Sequence, residues 1–313
     1  MTTAAIIASL SVGALFGGLG PYLARRLPPR HATWLISVGA SVSTLAGIAV
    51  LVLVGASLLG QLSDLLGLGH WSSSTLRHHA PAEPGVGALA LVGAAASGGV
   101  LALVATRRGL EMWRAYRTCD ALAGAPRLLV VDDPDAGAVA IPGRPGRIVV
   151  SRSLLARLSP FERRVVLAHE RAHLAAGHHW HRSVVAVAAA ANPLLRPLVG
   201  AVGFTTERWA DERAAEEIGD RRGAARALAR VALLTGGAGS GRQPELAIDG
   251  RPVAARVSAL LGDAPPPRPL LTAATISILL VALVAAMVVE RDVEHLFELA
   301  GHVHRAAAVQ AGR

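Results

Sequence analysis

The sequence predicts an α-helical membrane protein of about four spans with an inserted α+β domain. Hydrophobic residues make up 52% of the 313-residue chain and charged residues only 17%. The mean hydropathy is +0.44, which exceeds that of ordinary soluble enzymes. The apolar residues concentrate in long runs, whereas residues 118–268 alternate short β-branched runs with amphipathic helical patterns. These observations indicate a helical bundle joined to a smaller mixed domain.

Four segments are apolar enough, and long enough at about 20 residues or more, to cross a bilayer. They comprise residues 3–24, 32–60, 85–106 and 270–289. No basic region precedes the first apolar run, so we expect a retained span rather than a cleaved signal peptide. The predicted organisation is three spans in residues 1–117, a domain in residues 118–268, and a fourth span with a short tail in residues 269–313.

The formal net charge of +9 comes from arginines, many of which lie at the ends of the apolar runs. Examples are the arginines of the loop 25–31 and of residues 107–117, and they do not form a patch with the interleaved aromatic residues of a nucleic-acid surface. The positive-inside rule therefore predicts a multi-pass protein of the cell membrane with an outside N-terminus and a cytoplasmic central domain. The tail 290–313 is then outside, and we expect it to form an amphipathic interfacial helix.

The central domain carries signals for a small sheet followed by helices. Its β-branched runs are residues 127–131, Ala138–Ile141 and Arg147–Ser151, separated by Pro and Gly. Ser159, Pro160 and Glu162 predict the start of a helix that continues to residue 176. Further helices are predicted at residues 206–218, 223–234 and 253–261. The single cysteine, Cys119, excludes an internal disulfide and a multi-cysteine metal site.

His169, Glu170 and His173 form an HExxH motif on the helix that begins at Pro160. Residues four apart lie on one helix face, so both imidazoles can reach one zinc ion. Glu170 projects beside them and can act as the general base on water. Catalytic zinc usually takes three protein ligands, and we expect Glu207 to be the third. Asp211, one turn later, can accept a hydrogen bond from a ligand histidine.

His179 is a competing third ligand, because it follows His169 by the ten residues of the metzincin spacing. However, the glycine of that motif is one position late, at Gly177, and no methionine follows until Met287. Glu207 is therefore preferred. The residues that could stabilise the oxyanion are His178, His179, His181 and Arg208.

The apolar segment 183–203 is nearly long enough to span, but Asn192-Pro193 and Arg196-Pro197 interrupt it. A single crossing would place Glu207 on the opposite side of the membrane from His169. We therefore expect a broken hairpin that enters and returns, or two short helices at the interface.

The runs Ala138-Val139-Ala140-Ile141-Pro-Gly and Val166-Leu-Ala-His-Glu resemble the HtpX-type membrane metalloproteases and the protease domain of BlaR/MecR-type sensors. The resemblance covers about residues 138–262. It implies a zincin-like metalloprotease domain of the gluzincin type, with the E-x-x-x-D motif supplying the third ligand at Glu207. A downstream helix similar to residues 253–261 is also usual in these families. Ala138, Val139, Ala140 and Ile141 are the candidate substrate-binding strand.

The expected activity is zinc-dependent hydrolysis of peptide bonds in cytoplasmic or membrane protein substrates. Resemblance to the BlaR/MecR type suggests regulated cleavage of a cytoplasmic transcriptional repressor. No penicillin-binding domain follows the last span, so we do not expect beta-lactam sensing. The alternatives are HtpX-like quality control of membrane proteins, or a non-catalytic membrane receptor or scaffold with structural zinc. Glu170 argues against the scaffold, because a structural site needs no general base.

Overall fold

The computed structural model describes residues 2–62, 71–80, 82–122, 124–132, 137–236 and 251–311. The α-helices are α1 (Thr2–Arg26), α2 (Pro29–Gln61), α3 (Ser73–His78), α4 (Pro84–Ala121), α5 (Arg152–Arg157), α6 (Pro160–Ala175), α7 (His178–Ala191), α8 (Pro197–Ile218), α9 (Arg221–Gly236), α10 (Arg251–Leu261) and α11 (Pro269–Ala311). The strands are β1 (Leu128–Val131), β2 (Ala138–Ile141) and β3 (Arg147–Ser151). A 3₁₀ turn, Pro193–Leu195, separates α7 from α8.

Four helices among the described residues are long and apolar enough to cross a membrane, which confirms the predicted set of long apolar helices. Within the described residues, these candidate spans are Ile6–Arg26, Pro29–Gln61, Pro84–Ala121 and Pro269–Gln310. Helix α2 packs against the other three. Its first half contacts Phe16 and Leu23 of α1, and Val50 and Val54 in its second half pack against Val289 of α11.

The helix that contains the last predicted span is longer than that span. Helix α11 continues without a break from Pro269 to Ala311, so residues 290–311 are not a separate interfacial helix. Val293 is buried beside Val50 and Val54, and Leu296 is buried beside Leu76 of α3. These side chains continue the apolar face that begins at Val289, and neither proline nor glycine interrupts the helix until residue 301.

Helices α7 and α8 form an antiparallel hairpin that reverses at Asn192-Pro193 and packs against α1, α2 and α4. Three buried hydrogen bonds from α2 fix its depth. They join Thr33 Oγ1 to Thr205 Oγ1 at 2.9 Å, Ser37 Oγ to His181 Nδ1 at 2.9 Å, and Thr44 Oγ1 to the carbonyl oxygen of Ala188 at 3.3 Å. The hairpin returns the chain to the level at which it started, so α6 and the second half of α8 lie at the same end of the bundle.

The small sheet has the order β1-β3-β2, with β1 parallel and β2 antiparallel to β3. Strand β2 is therefore an edge strand, and its free edge faces α6. Val150 of β3 and Leu154 of α5 pack against Val166 on one face of α6. Val165, on the neighbouring face, packs against α9 and α10. Helix α6 is thus held between the sheet and the C-terminal helices.

A buried arginine connects the sheet to the third long helix. Arg147 of β3 is 2% exposed, and its guanidinium donates to backbone carbonyls in and after the last turn of α4. These acceptors are Cys119, Leu122, Ala125 and Pro126. Carbonyls at a helix C-terminus have no partner within the helix, and a buried cation satisfies them well. The strands therefore cannot shift relative to α4 without breaking these bonds.

Candidate metal centre and active site

Helix α6 begins at a complete capping box and carries the HExxH motif. The Ser159 side chain accepts from the backbone N–H of Glu162, and the Glu162 side chain accepts from the backbone N–H of Ser159. This arrangement satisfies two donors that a helix N-terminus leaves free. Further along α6, His169 and His173 lie on one face, with their Nε2 atoms 3.0 Å apart. Both imidazoles therefore point to a common position.

Glu207 on α8 completes a three-residue group at that position. Its Oε2 lies 3.5 Å from His169 Nε2 and its Oε1 lies 3.5 Å from His173 Nε2. Around a tetrahedral zinc ion with ligand distances of about 2.0–2.1 Å, neighbouring ligand atoms are about 3.3 Å apart. Among the residues that the structure describes, these three are the histidine and acidic side chains whose ligand atoms lie close enough together to hold a metal ion. The donor set fits a zinc ion.

Asp211 and Arg256 orient His169 and Glu207 through contacts on the side away from the metal position. Asp211 Oδ1 lies 3.0 Å from His169 Nδ1, so this nitrogen is occupied and Nε2 is left for an ion. Arg256 of α10 donates to both Asp211 carboxylate oxygens at 2.7 and 2.8 Å, and its Nη1 lies 3.0 Å from Glu207 Oε2. One guanidinium thus positions Glu207 and, through Asp211, His169.

The other ligand histidine has a partner that the sequence analysis did not assign to it. His178 is 1% exposed, and its Nδ1 lies 2.8 Å from His173 Nδ1. One of these two nitrogens must donate to the other. If His173 is to offer Nε2 to a metal, its Nδ1 carries the proton and His178 Nδ1 accepts it. His178 therefore lies behind the site and orients His173.

The comparisons with known proteins decide the family. The model of peptidase family M48 matches residues 121–294. This chain belongs to peptidase family M48. No curated protein and no solved structure gives a significant match. Membership confirms the predicted metallopeptidase class, and the matched region contains the whole α6–α8 site of this M48 member.

The cleft of the M48 domain has a volume of about 950 Å³ and opens between β2 and helices α6, α9 and α10. Glu170 lies in its wall, and its carboxylate accepts a hydrogen bond from the backbone N–H of Ala140 on the edge strand. Burial, as the largest cause, raises the pKa of Glu170, and the nearby charge of Glu207 adds to this effect. A raised pKa suits a carboxylate that must take up a proton near neutral pH.

The electrostatics of the group attract one positive charge. Burial lowers the pKa of His169, but hydrogen bonds to Asp211 and Glu207 outweigh burial and raise it to about 10. Burial, and then the positive charge on His169, lower the pKa of His173 to about 3. Burial raises the pKa of Glu207, yet the hydrogen bond from His169 and the charge of Arg256 hold it well below its usual range. The site therefore favours one cation between two imidazoles and a carboxylate.

The four residues considered for the oxyanion occupy different places. His178 and His179 line the cleft, and His179 lies outside the three-residue metal group. His181 contacts Ser37 and stacks edge-on against Trp34, so it is a packing residue between α7 and α2. Arg208 is not among the residues that line the cleft, because its Nη1 donates at 3.4 Å to the carbonyl of Ala24, on the side of α8 that faces α1.

Arg182 also lines the cleft, and the sequence analysis missed it. Its Nη2 is 2.5 Å from Glu207 Oε1, and its Nε donates to Thr206 Oγ1 at 2.9 Å. The sequence does place Arg182 directly after the histidine-rich run 178–181. However, several other arginines also follow the HExxH motif, and spacing alone does not distinguish Arg182 from them. Arg256 did have a signal, because it belongs to the downstream helix that the resemblance pointed to.

Proposed function

We propose that this M48 peptidase is a membrane-embedded, zinc-dependent endopeptidase whose active site faces the cytoplasm. The observation that carries the proposal is the convergence of His169, His173 and Glu207 beside Glu170 in a cleft large enough for a peptide. His169, His173 and Glu207 would hold the zinc ion. When bound, zinc supplies a Lewis acid and lowers the pKa of water.

Side chains of the protein itself carry out the remaining steps. Glu170 takes a proton from the attacking water and delivers it to the nitrogen of the leaving amine, so that the peptide bond breaks. Its hydrogen bond from Ala140 places the carboxylate against the edge strand, where a substrate backbone would lie. The substrate pairs with the free edge of Ala138–Ile141 as an added strand, because β2 pairs with β3 on its other side.

Arg182 stabilises the negative charge that develops on the carbonyl oxygen of the scissile bond. Its Nη2 binds Glu207, whereas its Nη1 has no hydrogen-bond partner among the described residues. The side chain is 28% exposed within the cleft. A fixed cation beside the reacting carbonyl is among the strongest contributions to catalysis of this type.

Orientation and substrate class follow from the arginines and the four long helices. Arg25 and Arg26 lie in the last turn of α1 and Arg30 in the first turn of α2, at the end of the bundle that also contains Arg208 and the metal group. The positive-inside rule places that end in the cytoplasm. The substrates would be cytoplasmic or membrane proteins, with regulated cleavage of a transcriptional repressor as one role. HtpX-like quality control remains the alternative role for the same chemistry.

Metal analysis combined with proteolysis tests the proposal. Purified full-length protein is expected to contain about one zinc per chain and to cleave casein or itself. A chelator should abolish cleavage, and zinc should restore it. Zinc content with no cleavage of any unfolded substrate by the wild type would support the scaffold alternative instead.

A further inference from the structure

Arg208 carries a buried positive charge that the catalytic centre does not use. It is 7% exposed, and no carboxylate of the described residues lies within 4.0 Å of it, since none of the ion pairs includes it. Its Nη1 makes one long hydrogen bond, 3.4 Å, to Ala24, and its Cζ lies 5.8 Å from the centre of the Phe204 ring. The buried Nε atom has no hydrogen-bond partner in the described chain.

Burial of the Arg208 guanidinium is unfavourable unless a bound anion accepts hydrogen bonds from it. A guanidinium offers five N–H donors. The carboxylates of Glu212 and Asp211 favour its charge from a distance, but neither accepts a hydrogen bond from it, and buried donors without acceptors are unfavourable. Interaction with the Phe204 ring and one carbonyl satisfies only part of this requirement. The side chain is therefore prepared for a negatively charged group.

A pocket of about 160 Å³ adjoins Arg208, and a second arginine lines it. The residues around this Arg208 pocket are Arg25, Phe204, Arg208, Ala255 and Ala259. Arg25 is exposed in the last turn of α1 and makes no ion pair with any described residue. Two guanidiniums thus share a small pocket whose other walls are an aromatic ring and two methyl groups.

We propose that the Arg208 pocket binds a phosphate group. The planar fork of arginine matches phosphate oxygens in geometry and charge. Arg25 lies in the last turn of an apolar helix, at the level where the phosphates of anionic lipids meet basic side chains. The phosphate would belong to an anionic lipid headgroup or to a free phosphate, and the two sources are separable by experiment.

Binding in the Arg208 pocket would bear on the metal group through α8 and α10. Arg208 directly follows Glu207, and Ala255 and Ala259 flank Arg256, which holds both Glu207 and Asp211. A phosphate bridging Arg25 and Arg208 would fasten α1, α8 and α10 together at this point. Phosphate binding in this pocket does not require that the centre cleave peptides.

The test uses full-length protein in a maltoside detergent, which contains no phosphate. Phosphatidylglycerol, diacylglycerol with the same acyl chains, and inorganic phosphate are titrated separately while the thermal unfolding midpoint is recorded. A ligand that binds the folded state raises this midpoint. We expect phosphatidylglycerol to raise it and diacylglycerol to have no such effect. Inorganic phosphate that raises the midpoint and displaces the lipid would identify the free ion as a sufficient ligand.

Two variants test whether the rise in the unfolding midpoint comes from binding in the Arg208 pocket. Arg25→Gln should weaken half-saturation on the order of 10-fold, since hydrogen bonds to charged groups are worth about one factor of ten or more. Arg26→Gln is the matched control, because Arg26 is the exposed neighbour whose guanidinium lies over Tyr22, outside the pocket. Equal responses of the two variants, equal effects of both lipids, or no response to any phosphate would overturn the proposal.

Discussion

At the residue scale, Glu170 and Glu207 have different tasks despite their common chemistry. Glu207 lies between two imidazoles, whereas Glu170 faces the edge strand. Glu170→Gln keeps all three ligands, so it should retain zinc and lose about 10²–10⁴-fold or more in cleavage rate. Glu207→Gln should lose zinc and activity together. Zinc per chain and casein cleavage are measured on the same preparations.

His179→Ala is the control for this pair, because His179 lines the cleft outside the metal group. It should retain zinc. If His179→Ala loses zinc while Glu207→Gln keeps it, the metzincin-like ligand set is correct. Full activity of Glu170→Gln would exclude the proposed mechanism.

Arg182 gives a second prediction at this scale. Arg182→Gln should reduce kcat about 10²-fold, as loss of a donor to a developing oxyanion does, with a small change in KM. Zinc content should stay near that of the wild type, because Arg256 still contacts Glu207 at 3.0 Å. Arg171→Gln is the matched control, since Arg171 is a half-exposed arginine that pairs with Glu217 away from the cleft. Loss of zinc from Arg182→Gln would instead make Arg182 a residue that positions Glu207.

At the scale of elements, the α7–α8 hairpin depends on close approach to α1. Gly13, Gly17 and Gly20 face the hairpin, and a Cβ added at Gly17 would overlap the carbonyl oxygen of Leu194. These glycines are spaced along one side of α1, as small residues are where helices meet closely. The tip of the hairpin can reach the middle of the bundle because α1 offers no side chains there.

We expect Gly17→Ala to lower the thermal unfolding midpoint. The overlap with Leu194 has to move backbone, which outweighs the gain in helix propensity of about 1 kcal/mol. Gly18→Ala is the matched control, since a Cβ at Gly18 meets no atom within 4 Å, and it should leave stability unchanged or slightly higher. Equal midpoints for the two variants would show that the hairpin does not pack on α1 in this register.

At the scale of the whole molecule, the proposed orientation predicts which surfaces an impermeant thiol reagent reaches. Arg226→Cys on α9 and Ala308→Cys on α11 introduce exposed thiols on the domain and on the tail. The native Cys119 is 2% exposed, so its background labelling should be low. In intact cells, Ala308→Cys should react and Arg226→Cys should be protected until the membrane is opened. The reverse pattern would place the peptidase domain outside.

Much of the architecture is encoded locally and could be predicted from the sequence. The four apolar helices, the strands Ala138–Ile141 and Arg147–Ser151, and the start of α6 at Ser159 and Pro160 follow from short-range patterns. The same holds for His169 and His173, whose shared face is a property of any α-helix. The continuity of α11 beyond Val289 was not predicted, because charged residues interrupt the apolar run there, although one face of the helix stays apolar.

The sequence by itself determined the helices, the edge strand and the two imidazoles that face one point, because hydrophobic period and capping act within a few residues. Only the tertiary structure brought Arg182 and Arg256 to Glu207, placed His178 behind His173, and turned Arg208 toward α1. Arginines occur throughout the domain, so the sequence alone does not show which group each arginine contacts. Those partners depend on how α7, α8 and α10 pack, and the side chains that set this packing lie far apart along the chain.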